Sequence, residues 1–86
     1  MIRIVYLGML ADLAGRGESE FGATTEEIDW ADLLALLESH MNRHLADAIR
    51  ADTVKVALNG KVLLDREDLS AKHGDEIALL PPVSGG

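Results

Sequence analysis

The sequence predicts an α+β fold in which a mixed sheet of four to five strands packs on one main helix. Three observations carry this expectation. Short strand-like runs lie towards both ends of the chain, at Ile2 to Leu7 and Glu76 to Leu80. A segment opening at Asp29 repeats apolar residues at helical spacing. Asn59-Gly60 separates two further short apolar runs, and both residues tolerate the positive φ that a tight hairpin turn needs.

The first strand, Ile2 to Leu7, puts Ile2, Ile4 and Tyr6 on one face and Arg3, Val5 and Leu7 on the other. Both sets are largely apolar, as in a central strand. Met9 to Ala14 makes a short helical turn, with Leu10 and Leu13 on one side and Gly15 as its C-cap. Beyond Gly15-Arg16-Gly17, Glu18 to Ala23 alternates weakly around Phe21 and reads as an edge strand whose acids discourage stray pairing. Asp29 caps the main helix, and Asp32 sits favourably in its first turn. Trp30, Leu33, Leu34, Leu37 and Met41 define its buried face and leave Leu36 off it, exposed. Asn42 to Asp52 is ambiguous: Leu45 and Ile49, four apart, allow a further short helix. Thr53 to Leu58 is a strand with Val54, Val56 and Leu58 inward, joined through a type I′ turn at Asn59-Gly60 to its partner, Lys61 to Leu64. Asp65 to Asp68 is a polar connector anchored by Leu69, and His73-Gly74-Asp75 is a turn. In the last strand Ile77 and Leu79 share one face, Ala78 and Leu80 the other.

If the last strand lies beside the first and parallel to it, the helix is the crossover and covers one sheet face. That is the ubiquitin-like β-grasp arrangement. It makes residues 1–80 one domain and residues 81–86 an extended tail. The opposite sheet face is left uncovered. Leu7, Val62 and Leu80 are its candidate protein-docking residues, the alternative being that they pad the edge of the core.

Eighty-six residues make one domain. So small a chain buries only about 60–65% of its unfolded surface and needs a compact two-layer core or a partner. With no cysteine, structural disulfides and thiolate metal sites are excluded, and the composition suits a reducing cytoplasm. No apolar run approaches a membrane span, and the alternating N-terminal segment does not read as an export signal. The net charge is −7, from fifteen acids against eight bases. Such a surface repels phosphate backbones, which argues against nucleic acid, and steers a basic protein partner towards it.

The side chains offer little catalytic chemistry. His40 and His44 are two histidines four apart with no third ligand suggested by spacing, so no metal site is expected. Trp30 reads as a core anchor and His73 as an exposed turn residue. Asp75 and Glu76 are adjacent on a strand and face opposite ways, which argues against a shared acid–base site. No Ser-His-Asp arrangement or phosphate loop is visible.

The chemistry lies in the last six residues, Pro81, Pro82, Val83, Ser84, Gly85 and Gly86. A terminal glycine has no Cβ beside its carboxylate, so an activating group and a nucleophile can both reach the carbonyl. Two glycines are thin enough to thread a channel closed to side chains. The prolines end the preceding strand and hold the exit stiffly extended, and six extended residues reach roughly 20 Å. A bare Gly-Gly end is also compatible with a frayed terminus or an expression scar; the Pro-Pro lead-in and the strand directly before it favour the functional reading.

Three segments resemble one family. They are Leu10-Ala11-Asp12-Leu13-Ala14-Gly15 after the first strand, the turn Val56-Ala57-Leu58-Asn59-Gly60, and the stretch from Gly74 to Gly86. Together they are similar to the small, sulfur-carrying subunit of molybdopterin synthase, the MoaD family. The C-terminal stretch is the specific part, and Leu79-Leu80 departs from it where some members carry phenylalanines. The resemblance implies that an ATP-dependent adenylyltransferase of the ubiquitin-activating type adenylates Gly86. A persulfide donor then leaves a thiocarboxylate there. The tail, Pro81 to Gly85 included, would enter the large synthase subunit and give sulfur to cyclic pyranopterin monophosphate. It further implies a heterotetramer of two small and two large subunits, no stably bound cofactor, and a chain that is no enzyme by itself. Carriers for thiamine or tRNA thiolation, lysine-conjugated modifiers, and an inert docking module are the alternatives.

Overall fold

A computed structural model describes residues 1–22 and 27–82 of the chain. Five strands, β1 (Ile2–Tyr6), β2 (Glu18–Phe21), β3 (Lys55–Leu58), β4 (Lys61–Val62) and β5 (Glu76–Leu80), form one sheet in the order β2-β1-β5-β3-β4. β1 and β5 pair in parallel, with Ile4 opposite Ile77 and Tyr6 opposite Leu79; the other pairings are antiparallel. The expected β-grasp is therefore present: first and last strands lie side by side in the middle, and the helical segments cross over one face.

Three helices build that covering layer, α1 (Met9–Ala14), α2 (Trp30–His40) and α3 (Arg43–Ile49). The local signals behave as their chemistry requires. Gly15 closes α1 in the left-handed region at φ 77°. Asp29 and Asp32 form a reciprocal capping box at the start of α2, each carboxylate accepting from the other's backbone N–H. Asn59 and Gly60 both hold positive φ, 51° and 84°. Trp30, Leu33 and Leu37 of α2 are buried against Ile2, Ile4, Tyr6, Ile77 and Leu79 on the inner sheet face.

Several boundaries and contacts differ from the sequence reading. The ambiguous segment after α2 folds as α3, because the Asn42 side chain accepts from the Leu45 amide and starts a new helix. The Asn42 amide group also donates to the Leu13 carbonyl, tying α3 to α1. Leu36 is half-buried rather than exposed; it packs against the core. The edge strand stops at Phe21 rather than reaching Ala23, which lies outside the described residues. β3 begins at Lys55 rather than Thr53, although Val54 is buried as expected. β4 ends at Val62, and Leu64 is fully exposed. Between β4 and β5 a single 3-10 turn, Arg66–Asp68, leads to the buried anchor Leu69.

Candidate functional site

Because β1 and β5 are parallel, their C-terminal ends reach the same edge of the sheet. β5 ends there at Leu80, and Pro81 and Pro82 follow it out of the sheet, the first half-buried and the second exposed. Val83, Ser84, Gly85 and Gly86 lie outside the described residues. β1 meets the root of the tail as well. The Leu7 amide donates to the Leu79 carbonyl, and the chain then turns at Gly8 into α1. Leu7 and Met9, on either side of that turn, are both exposed.

The helices cover one sheet face, and registers assign the residues of the other. Val5 lies opposite Ala78, Ala78 opposite Ala57, and Ala57 opposite Val62, so one apolar row crosses four strands. The next row towards the tail brings Leu80 opposite Lys55. Val62 is 54% exposed and Leu7 39%. Small residues at the middle of the row leave a shallow surface between them; Ala57 is buried even on this outer face. Leu7, Val62 and Leu80, expected from the sequence, thus sit on one apolar face beside the tail's root. Ala57 was not recognised from the sequence, and Ala78 was placed on the face of Leu80 but not among the docking residues, because alanine carries too little hydrophobicity to mark a surface.

Charge closes the opposite end of this face. The Arg3 guanidinium of β1 lies 4.0 Å from Glu18 and 3.8 Å from Glu20 on β2, and 3.6 Å from Glu76 on β5. All are about half exposed, so each pair adds little stability. The corner stays acidic beyond what Arg3 neutralises.

Among the described residues two titratable groups have displaced pKa values, Tyr6 in the core and Asp75 in the turn before β5. Burial pushes the Tyr6 phenol up, opposed by its hydrogen bond with Ser19 and by Arg16. Its hydroxyl donates to Ser19 Oγ at 3.1 Å, and the Ser19 hydroxyl in turn lies 3.6 Å from Met41 Sδ. Ser19 is thus a satisfied polar contact inside the core. Asp75 is held below its ordinary value by the Lys72 backbone N–H first and by the Asn59 side chain second. The Asn59 side chain also accepts from the Glu76 amide, so this trio braces the β3–β4 hairpin against the turn before β5.

The two histidines fall on different helices. His40 ends α2, its ring 5.8 Å from that of Phe21, and His44 lies in α3. Among the described residues no three His, Cys, Asp or Glu side chains are grouped to hold a metal, and no helix is long and apolar enough to cross a membrane. Trp30 is a core residue, as expected.

Comparison with known proteins bears on this geometry. The chain is 34% identical over 89 residues to a molybdopterin synthase sulfur carrier subunit of Chlamydomonas reinhardtii, covering 99% of this chain and 98% of that protein. Among solved structures it resembles SAMP1 of Haloferax volcanii, with a TM-score of 0.72 and 28% identity, covering 99% of this chain and 98% of that one. It also resembles a chain in a complex of subunits 1 and 2 of the molybdopterin-converting factor from Helicobacter pylori, with a TM-score of 0.61 and 25% identity, covering 99% and 97%. The ThiS family model matches residues 4–86, from the second pair of β1 residues through the Gly-Gly end, and the chain belongs to the ThiS family.

Proposed function

We propose that this chain is the sulfur-carrier subunit of a molybdopterin synthase. The observation that carries the reading is the similarity to a sulfur carrier subunit along almost the full length of both chains. The geometry supports it: a rigid sheet runs directly into a Pro-Pro…Gly-Gly arm, and an apolar face suited to a large partner lies beside the arm's root.

In this scheme the Gly86 carboxylate attacks the α-phosphorus of ATP on an adenylyltransferase of the ubiquitin-activating type, and pyrophosphate leaves. The terminal sulfur of a persulfide then attacks the carbonyl and expels AMP. A second thiol cleaves the S–S bond and releases the thiocarboxylate. Docked through Leu7, Val62, Leu80 and the root Pro81-Pro82, the chain passes Val83, Ser84, Gly85 and Gly86 into the large subunit, where the sulfur is given to cyclic pyranopterin monophosphate. Two such deliveries supply the two dithiolene sulfurs. The chain contributes delivery and no acid–base chemistry; the channel that receives the arm gives proximity and excludes water. The assembly is two small and two large subunits. Its need for ATP and reduced thiols is why we assign it to the cytoplasm.

Intact-protein mass spectrometry tests the reading. After incubation with the adenylyltransferase, ATP and a persulfide donor, one oxygen should be replaced by sulfur. The chain lacking Gly86 should bind the large subunit normally yet never gain that mass. Normal sulfur delivery by the shortened chain would sink the proposal. The similarity to SAMP1, named small archaeal modifier protein 1, favours one second reading, conjugation to lysines of other proteins. It would show as Gly86-dependent, thiol-resistant adducts on denaturing gels.

A further inference from the structure

We propose that Gly8 is a positioning residue, which sets the direction in which the C-terminal arm leaves the domain. The inference rests on the carrier reading and adds a residue to it. Where β1 and β5 reach their common edge, one chain turns back into α1 and the other continues towards Gly86. Gly8 holds φ +56°, and a Cβ built on it would lie 3.0 Å from Pro81 Cγ. Gly15, Gly60 and Gly74 also hold positive φ, but a Cβ on any of them would meet nothing within 4 Å. Those three serve the backbone alone. Gly8 serves the backbone and also seats the first residue of the arm.

A side chain at position 8 must displace either the turn or the proline. The turn is held. The Leu7 amide donates to Leu79 at 3.3 Å, the Leu10 and Ala11 amides donate to Leu7 and Gly8 at 3.1 and 3.0 Å, and Leu10 is fully buried. The half-buried Pro81 ring is therefore the part that yields. The fixed φ of two successive prolines carries a tilt at the root into the arm. A contact at 3.0 Å asks Pro81 to give by a few tenths of an ångström, a tilt of about 7° at the root; five further residues reach at most about 17 Å, so that tilt would move the end by about 2 Å. Transfer requires reacting atoms within about 3–3.5 Å of each other, so such a displacement must be undone before the sulfur can react.

The chain has no cysteine, so Ser84→Cys gives one site for a nitroxide. Paramagnetic broadening of backbone amides in the free carrier then reports where the arm points. Gly8→Ala should shift the broadening pattern around the root. Adding Pro81→Ala, which removes the crowded Cγ, should return it towards wild type. Without the label, Gly8→Ala should slow single-turnover sulfur transfer about tenfold at saturating large subunit, where any change in docking affinity through Pro81 no longer counts. Three results would overturn the proposal: an unmoved pattern; a pattern that Pro81→Ala fails to restore, which assigns the effect to backbone strain at position 8; or a moved pattern with wild-type transfer. If Gly8→Ala does not fold, Pro81→Gly alone must move the pattern, and an unmoved pattern again overturns it. A wild-type chain that never gains sulfur would sink the carrier reading, while the broadening data would still decide the role of Gly8.

Discussion

Replacing Arg66 by alanine should destabilise the domain by about 3 kcal/mol. Its Nη1 donates to the carbonyls of Ile49, Ala51 and Val54 at 3.0, 2.6 and 3.2 Å, and its Nη2 to that of Arg50 at 2.6 Å. These acceptors lie at the end of α3 and in the loop to β3, where helix carbonyls lack intrahelical partners. Three acceptors share the two protons of Nη1, so the cluster amounts to about three bonds rather than four. At about 1 kcal/mol each, they contribute about 3 kcal/mol before the freed carbonyls regain water. The guanidinium also lies 4.6 Å from the centroid of the Trp30 ring, a contact worth about 0.5–1 kcal/mol. Rehydration offsets part of the sum, leaving about 3 kcal/mol against a total of roughly 4–13 kcal/mol for a domain of this size. The unfolding midpoint should fall by about 12–24 °C. Arg66→Lys should cost about half as much, because an ammonium keeps the charge but not the planar fork. Far-UV circular dichroism measures the midpoint, and the emission of Trp30, the single tryptophan, reports the site directly. A loss under about 1 kcal/mol with unchanged Trp30 emission would refute the reasoning.

Two further outcomes follow from the open face and the brace behind it. Val62→Asp places a carboxylate on a 54% exposed position; folding should change by less than about 0.5 kcal/mol, while docking to the large subunit weakens at least about tenfold through the cost of desolvating the charge. Unchanged affinity in a titration would remove this face from the interface. Asp75, whose folded pKa is depressed, contributes stability that is present above its ordinary value of 3.8 and lost as pH falls through the lowered folded value. The urea midpoint of Asp75→Asn should therefore lie below wild type at neutral pH, with the gap closing in acid; a gap independent of pH would contradict that linkage.

The fold was legible in the sequence where its signals are local. Gly15, the Asp29 cap and Asn59-Gly60 each act within a few residues and formed as expected, and Asp32, expected only as a favourable first-turn charge, also closes the cap into a box. Strand ends were less legible, because pairing partners set them. β2 stops at Phe21, opposite Ile2 at the start of β1, and β4 has two residues because only two pairs form with β3. The burial of Leu36 depends on how α2 packs in the assembled core. Arg66 carries no local signal at all, since the carbonyls it gathers lie 12 to 17 residues away. At the site, the larger apolar residues of the open face were recognisable from strand alternation. The contact between Gly8 and Pro81 was not, because it joins two chain segments that only the parallel β1–β5 pairing brings together.

The place of β5 in the sheet also has a mechanical consequence. It is bonded along its length on both sides, to β1 in one direction and to β3 in the other. Traction on the arm therefore runs along two rows of hydrogen bonds and loads them together in shear, whereas an edge strand would peel away one bond at a time. A partner can haul on the terminus, and withdraw from it again, without unravelling the body to which it is attached.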